Sequence, residues 1–232
     1  MKVAIVVPVL DEAAAIVQCL TALQPLRVAG HAVIVADGGS SDATVEFARP
    51  LSDRVVRAPR GRARQMNAGA DAAAMVTPAV DAYLFLHADS CLPDHAIESV
   101  RDALRAGTQR WGRFDVRIAG HSRWLPVVAA LMNIRSRLTG IATGDQAIFV
   151  SRDAFEAVSG FPDWPLMEDV GISRALKRLT PPAALRARVT TSGRRWDANG
   201  PVRTILFMWW LRLRFALGAP LEALAARYSS VR

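Results

Sequence analysis

The chain has 232 residues, 51% hydrophobic and 22% charged, which suits one sizeable folded domain, alone or with a modest appendage, and excludes a disordered chain. Its formal net charge of +8 points to anionic partners: nucleic acid, an acidic membrane surface or a small phosphorylated substrate. Nucleic acid is set aside because zinc-finger spacing, RNP patterns and aromatic-basic interleaving are missing, and two cysteines outside any motif exclude a disulfide framework and favour a reducing, cytoplasmic compartment.

KVAIVVPV is a continuous β-branched apolar run, the mark of a strand covered on both faces. Pro8 and Asp11 interrupt it too early for a signal peptide. DEAAAIVQCLTAL follows with helical spacing. HAVIVADGGSSDATVEFA repeats the order: a strand, a Gly-Gly-Ser-Ser loop, and a helix beginning near Asp42. DRVVRAP reads as a third strand, RARQMNAGADAAA as a helix, AYLFLHADS as a fourth strand, and PDHAIESVRDAL as a helix with Pro93 at its start. This alternation predicts an α/β fold with an open, mostly parallel sheet flanked by helices.

The second half predicts a mixed arrangement. RWGRFDVRIAG is an extended strand, WLPVVAALMNIRSRLTG a helix closed by Gly140, and DQAIFVSRDAFEAV a strand running into a short helix. GFPDWPLMEDVGISRALKR is a loop that enters a helix at Glu168 or Asp169, and ALRARVTTS is another strand. The tail RTILFMWWLRLRFALG falls short of the about 20 uninterrupted apolar residues that span a bilayer. Two accounts fit it: a helix lying on an anionic membrane through residues 203–217, or a helix buried against the sheet or against a second copy in a homodimer.

Acidic residues recur after the strands: Asp11 and Glu12 after the first, Asp37 after the second, Asp89 after the fourth. Helix capping, worth about 0.5–2 kcal/mol, accounts for Asp11, Glu12 and Asp42. It accounts poorly for Asp37 and Asp89, which precede loops. In a doubly wound sheet all these positions share one edge, where open α/β folds bind ligands. Arg60, Arg62 and Arg64 crowd a helix start, which opposes the helix dipole unless an anion shares the site; a solvated basic loop is the alternative. His31, His95 and His121 have no partner at metal-ligand spacing, and no nucleophile elbow is present.

Taken together, VVPVLDEAAAI, VIVADGGSSDAT, GRARQMNAGA, FLHADS, GDQAIFVSRDAFEAVSGF and PLMEDV resemble the family 2 glycosyltransferases of the GT-A fold, in collinear order over nearly the whole chain. The likeness is nearest to the small bacterial branch labelled arsenosugar-biosynthesis-type. It implies an inverting transferase that moves a sugar from a UDP- or GDP-linked donor, with Mg²⁺ or Mn²⁺. Residues 1–110 would form the nucleotide-sugar-binding half, 111–196 the acceptor and catalytic half, and 197–232 a C-terminal helical segment.

By the same likeness Asp37 would bind the nucleoside side of the donor, along with Pro8, Asp11, Glu12, Arg62, Arg64 and Asn67. Asp89 would match the last aspartate of the family's Asp-x-Asp motif and hold the metal. The motif's first aspartate is here His87, whose imidazole could instead bond a ribose hydroxyl or a phosphate. Asp169 would be the general base that deprotonates the acceptor hydroxyl, with Glu168 assisting and the two roles exchangeable. Asp145 and Gln146 would line the acceptor side. Arg194 or Arg195 would clamp the diphosphate and Trp196 stack on a sugar or lipid, although the family's upstream Gln is missing. Trp111, Trp124, Trp164 and Trp209 read as core or interface residues. Two rivals remain: a nucleotidyltransferase, which usually has a glycine-rich turn where this chain has PVLDE, and a non-catalytic nucleotide-sugar-binding module.

Overall fold

A computed structural model describes residues 1–76, 80–105 and 107–229, without the side chains of residues 195, 199, 201, 202 and 229. In chain order the elements are β1 (Lys2–Val9), α1 (Ala13–Ala22), α2 (Gln24–Val28), β2 (Ala32–Asp37), α3 (Thr44–Ala48), β3 (Arg54–Arg57), α4 (Arg62–Val76), β4 (Val80–Phe85) and β5 (Ser90–Cys91). They continue with α5 (Ala96–Arg105), β6 (Trp111–Ala119), α6 (Leu125–Thr139), β7 (Phe149–Ser151), α7 (Arg152–Ala157), α8 (Glu168–Lys177) and β8 (Ala183–Ser192). Three helices follow: α9 (Arg194–Asn199), α10 (Pro201–Ala216) and α11 (Leu221–Ser229).

One eight-stranded sheet runs β3-β2-β1-β4-β7-β6-β8-β5. Its first four strands are parallel neighbours, as the alternating first half requires. β7 is antiparallel to both β4 and β6, and β8 is parallel to β6. It follows that β6 and β8 point the same way as β4, and the carboxyl ends of six strands share one edge.

The β-branched runs are buried throughout because helices cover both faces. Their period of two still divides the core. Val3, Ile5 and Val7 pack on one face with Ile16 and Leu20 of α1 and Ile97 and Val100 of α5. Ala4 and Val6 pack on the other with Ala63, Met66 and Ala70 of α4 and Ile172 and Leu176 of α8. α4 lies so near β1 that a Cβ on Gly69 would sit 2.3 Å from Val6 Cγ1.

Several boundaries differ from the sequence reading. The fourth strand stops at Phe85 rather than continuing to Ser90: His87 and Asp89 lie in a turn, closed by Ser90 N–H donating to the His87 carbonyl at 3.0 Å. Ser90 and Cys91 then pair with Thr191 and Thr190 of β8. α5 begins at Ala96 and α3 at Thr44, so Pro93 and Asp42 precede their helices and His95 sits before α5 with a positive φ of 56°. The Asp42 carboxylate joins α3 and α1 from outside both helices, accepting from Thr44 N–H and from Ala13 N–H at the start of α1. Neither Asp11 nor Glu12 caps α1: the Asp11 carboxylate accepts instead from Ser41 N–H, 2.8 Å away.

α10 divides between the two accounts of the tail. Leu211 is buried with Leu166, Met167 and Val170, while Leu206, Trp209, Trp210, Leu213 and Leu217 are exposed. Ile205 packs against Leu125 and Val128 of α6, whose own outer face exposes Val127, Leu131, Ile134 and Leu138, with Trp124 exposed just before it. Trp111 is fully buried, but Trp124 and Trp209, read as core or interface residues, stand about half in solvent at 51% and 60% exposure. Among the described residues no helix is long and apolar enough to cross a membrane.

Candidate active site

Because β1, β2, β4 and β8 end at the same edge, the residues after them meet there. Asp37 closes β2 and is buried, its carboxylate accepting from Gly39 N–H at 3.1 Å and Ser40 N–H at 2.9 Å. Gln65 of α4 donates to the Val9 and Ala36 carbonyls and ties the ends of β1 and β2 together. After β8, the Arg194 guanidinium reaches Glu12 Oε2 at 2.7 Å and Asp89 Oδ2 at 3.2 Å. The hydrogen bond to Glu12, reinforced by Asp89, holds that guanidinium above its ordinary pKa. Pro8 lies within β1.

β7 runs the other way, so the turn before it, Gly144–Gln146, also faces this edge. His87 Nδ1 lies 3.3 Å from Asp145 Oδ1. Its ring is packed against Gly144, where a Cβ would come within 2.5 Å of Nε2. Gly144 N–H donates to Asp169 Oδ2 at 3.2 Å, and Val170 N–H donates to Asp169 Oδ1 at 2.7 Å. A cavity lies between His87, Gly144, Glu168 and Asp169, with Met66, Phe85 and Phe161 as its apolar wall.

Glu168 and Asp169 form the first turn of α8, where the helix dipole favours negative charge. The residue before them, Met167, has a left-handed backbone with φ 65° and is buried, a strained geometry of the kind found beside functional groups. Glu168 is 7% exposed, and burial, then the neighbouring Asp169, push its carboxyl pKa up; Arg62 pulls the other way. Burial works against the charge on Arg62, but Tyr228, Glu168, Asp145 and Asp169 outweigh it and hold the guanidinium above its ordinary value.

The remaining sequence candidates are held in other contacts. Asn67 is a tether: its amide donates to the Phe161 carbonyl and accepts from Phe161 N–H, both at 2.9 Å, fixing the loop that leads to Glu168. Arg64 is exposed and paired with Asp163 of the same loop at 2.7 Å. Gln146 is fully buried in a capping box with Thr143. Trp196 packs against the Val116, Ile118 and Leu125 cluster under α6. The side chain of Arg195 lies outside the described residues.

Three groups near the site have no place in it in the sequence reading, which gives Arg212 only to the membrane account of the tail. Arg135 of α6 and Arg212 of α10 both lie within electrostatic reach of Asp169, and Tyr228 of α11 is near Arg62. Nothing in the pattern of α6, which also carries Asn133, Ser136 and Arg137, sets Arg135 apart. Beneath it, Arg113 and Asp115, two residues apart on β6, face the same way and pair with each other, and Arg137 of α6 completes the set at 2.7 Å from Asp115.

Among the described residues no group of three or more His, Cys, Asp or Glu side chains is arranged to hold a metal ion. Asp89 offers one carboxylate, and His87 is turned towards Asp145. Mg²⁺ commonly binds through one or two protein carboxylates, with phosphate oxygens completing its shell. The residues present therefore fit an ion that arrives with a diphosphate.

Solved structures share this architecture. S. aureus TarS in complex with UDP-GlcNAc aligns at TM-score 0.64 and 15% identity, over 83% of this chain and 58% of that one. The mannosyltransferase PcManGT from Pyrobaculum calidifontis, in complex with GDP-Man and Mn²⁺, aligns at 0.61 and 19%, over 91% and 64%. Glucosyl-3-phosphoglycerate synthase from Mycobacterium tuberculosis, in complex with Mn²⁺, UDP and phosphoglyceric acid, aligns at 0.61 and 19%, over 94% and 79%. The chain spans less than two thirds of the length of the first two, and at these identities the likeness shows the fold. No curated protein sequence matches this chain. The family model described as glycosyl transferase family 2 matches residues 4–158, and the chain belongs to that family.

Proposed function

We propose that the protein is an inverting glycosyltransferase that moves a sugar from a nucleotide-diphosphate donor, UDP- or GDP-linked, to an acceptor hydroxyl. The observation that carries this reading is the placement of Asp37, Asp89 and Asp169 on one sheet edge, with Asp169 and Glu168 lining a small cavity there beside His87. The molecules bound in the structures of similar fold, UDP-GlcNAc, GDP-Man, UDP and Mn²⁺, support the donor class. In this reading the chain falls in the arsenosugar-biosynthesis-type branch, whose motif its His87-Ala88-Asp89 triplet resembles.

In this reading Asp37 and the β1–β2 edge hold the nucleoside, and Arg194 meets the diphosphate beside Asp89. Asp169 takes the acceptor proton, the acceptor oxygen attacks the anomeric carbon, and the bond to the diphosphate breaks on the opposite face. One base suffices for such a displacement. When bound with the diphosphate at Asp89, Mg²⁺ or Mn²⁺ would neutralise the charge that develops on the leaving group. Glu168, more deeply buried, orients the acceptor. The exposed apolar faces of α6 and α10 support a location against an anionic membrane surface.

Calorimetry with UDP, GDP and other nucleoside diphosphates, with and without Mn²⁺, tests the donor site. Binding of one nucleotide, with a metal-dependent part lost in Asp89→Asn, is expected. Absence of binding by every nucleotide would remove the reading.

A further inference from the structure

Arg135 and Arg212 come from different helices, α6 and α10, and both lie within the field of the Asp169 carboxylate. Arg135 Nη2 is sealed from solvent and has no hydrogen-bond partner, and neither arginine forms an ion pair among the described residues. The carboxylates that attract them are engaged elsewhere: Asp169, which acts on both, accepts from Gly144 N–H and Val170 N–H, and Asp145, which acts on Arg212, faces His87. Burial and the neighbouring Arg212 pull Arg135 down to about 10, and burial lowers Arg212 as well. A buried cation without a partner is costly, and such a pair becomes favourable when an anion joins it.

We propose that Arg135 and Arg212 bind a phosphoryl group carried by the acceptor, so that the acceptor hydroxyl is brought to Asp169. A phosphomonoester carries about −1.5 to −2 charge and three acceptor oxygens, which matches two guanidinium groups on two helices. The donor diphosphate is assigned elsewhere, to the edge formed by Glu12, Asp37 and Asp89, where Arg194 already lies. The acceptor part of the proposal rests on the glycosyl-transfer reading, while the anion site can be tested without it. The phosphoryl group could belong to a soluble metabolite or to a lipid headgroup.

The test is thermal unfolding of the full chain with inorganic phosphate at constant ionic strength, repeated with UDP or GDP present, and with Arg135→Gln and Arg212→Gln. Phosphate is expected to raise Tm in the wild type and to do so equally with nucleotide bound. Each variant should weaken that response by roughly tenfold or more, the scale of a charge-assisted hydrogen bond. Without phosphate each variant should melt no lower than the wild type, because an unpaired buried charge has gone. A purely structural arginine would give the reverse: a lower Tm and an intact phosphate response, which overturns the proposal. A response that disappears with nucleotide bound also overturns it, since the anion then occupies the donor site.

Phosphatidylcholine vesicles with and without phosphatidic acid separate the two sources. A response to free phosphate assigns a soluble acceptor; binding only to phosphatidic acid vesicles, lost in both variants, assigns a lipid. A response to neither overturns the proposal in the wild type alone, whatever the variants do. Failure of UDP and GDP to shift Tm would count against glycosyl transfer and leave the phosphate result standing.

Discussion

Asp169 and Glu168 are adjacent in sequence yet sit in different surroundings, and this separates their expected behaviour. Asp169 is partly exposed, with one oxygen turned to Gly144 at the cavity wall, which suits contact with a reacting hydroxyl. Asp169→Asn should lower turnover by roughly 10²-fold or more, the scale of lost proton transfer, with donor binding little changed in calorimetry. Near-normal turnover would pass the role to Glu168. For Glu168 the folded pKa lies above its unfolded value, so its contribution to stability is complete below the unfolded pKa and is lost as pH rises through the folded one. Above that window the buried charged form opposes folding. Glu168→Gln, which mimics the neutral acid, should therefore show a smaller fall in Tm between pH 5 and pH 8 than the wild type, measured side by side.

At the scale of elements, the contact between α4 and β1 places the residues of the proposed donor side. Gly69 allows it, and a methyl there would meet Val6 Cγ1 at 2.3 Å, well inside contact distance. Overpacking of this kind costs about 1–3 kcal/mol, against a gain of up to about 1 kcal/mol from alanine in a helix. Gly69→Ala should thus lower stability in denaturant titration, and an unchanged midpoint would show that α4 moves aside freely. Most elements were legible because burial on two faces leaves unbroken β-branched runs, as in VAIVV and AVIVA, and because Gly140 takes the left-handed backbone that ends a helix. β5 was not legible: Ser90 and Cys91 carry no strand pattern and are paired only because β8 reaches them. In the site, acids at strand ends could be read from position. Arg135 and Arg212 could not, since the helices that bring them near Asp169 meet only in the tertiary fold. Asn67 was read as a donor contact, but a side-chain amide can also serve a distant backbone, and here it holds Phe161.

For the molecule as a whole, the net charge of +8 and the apolar outer faces of α6 and α10 act together. Arg203 and Arg214 are exposed on α10 beside Trp209 and Trp210, and each cation near an anionic surface adds about 1 kcal/mol of attraction. The protein should float with anionic vesicles at low salt and be released as salt rises; remaining soluble at low salt would exclude membrane attachment. The fold also sets a timetable for assembling its own site. Glu12 and Arg194 are joined across 182 residues, and Asp89 and Arg194 across 105. On a ribosome adding roughly 5–20 residues per second, the stretch from Asp89 to Arg194 takes about 5–20 s to make. During that interval Glu12 and Asp89 have been synthesised but their shared cation has not. Strands β1 to β4 come off the ribosome first, and β8, arriving last of the eight, carries Arg194 in behind it. A chain halted before β8 would keep Glu12 and Asp89 and lack the charge that draws them together.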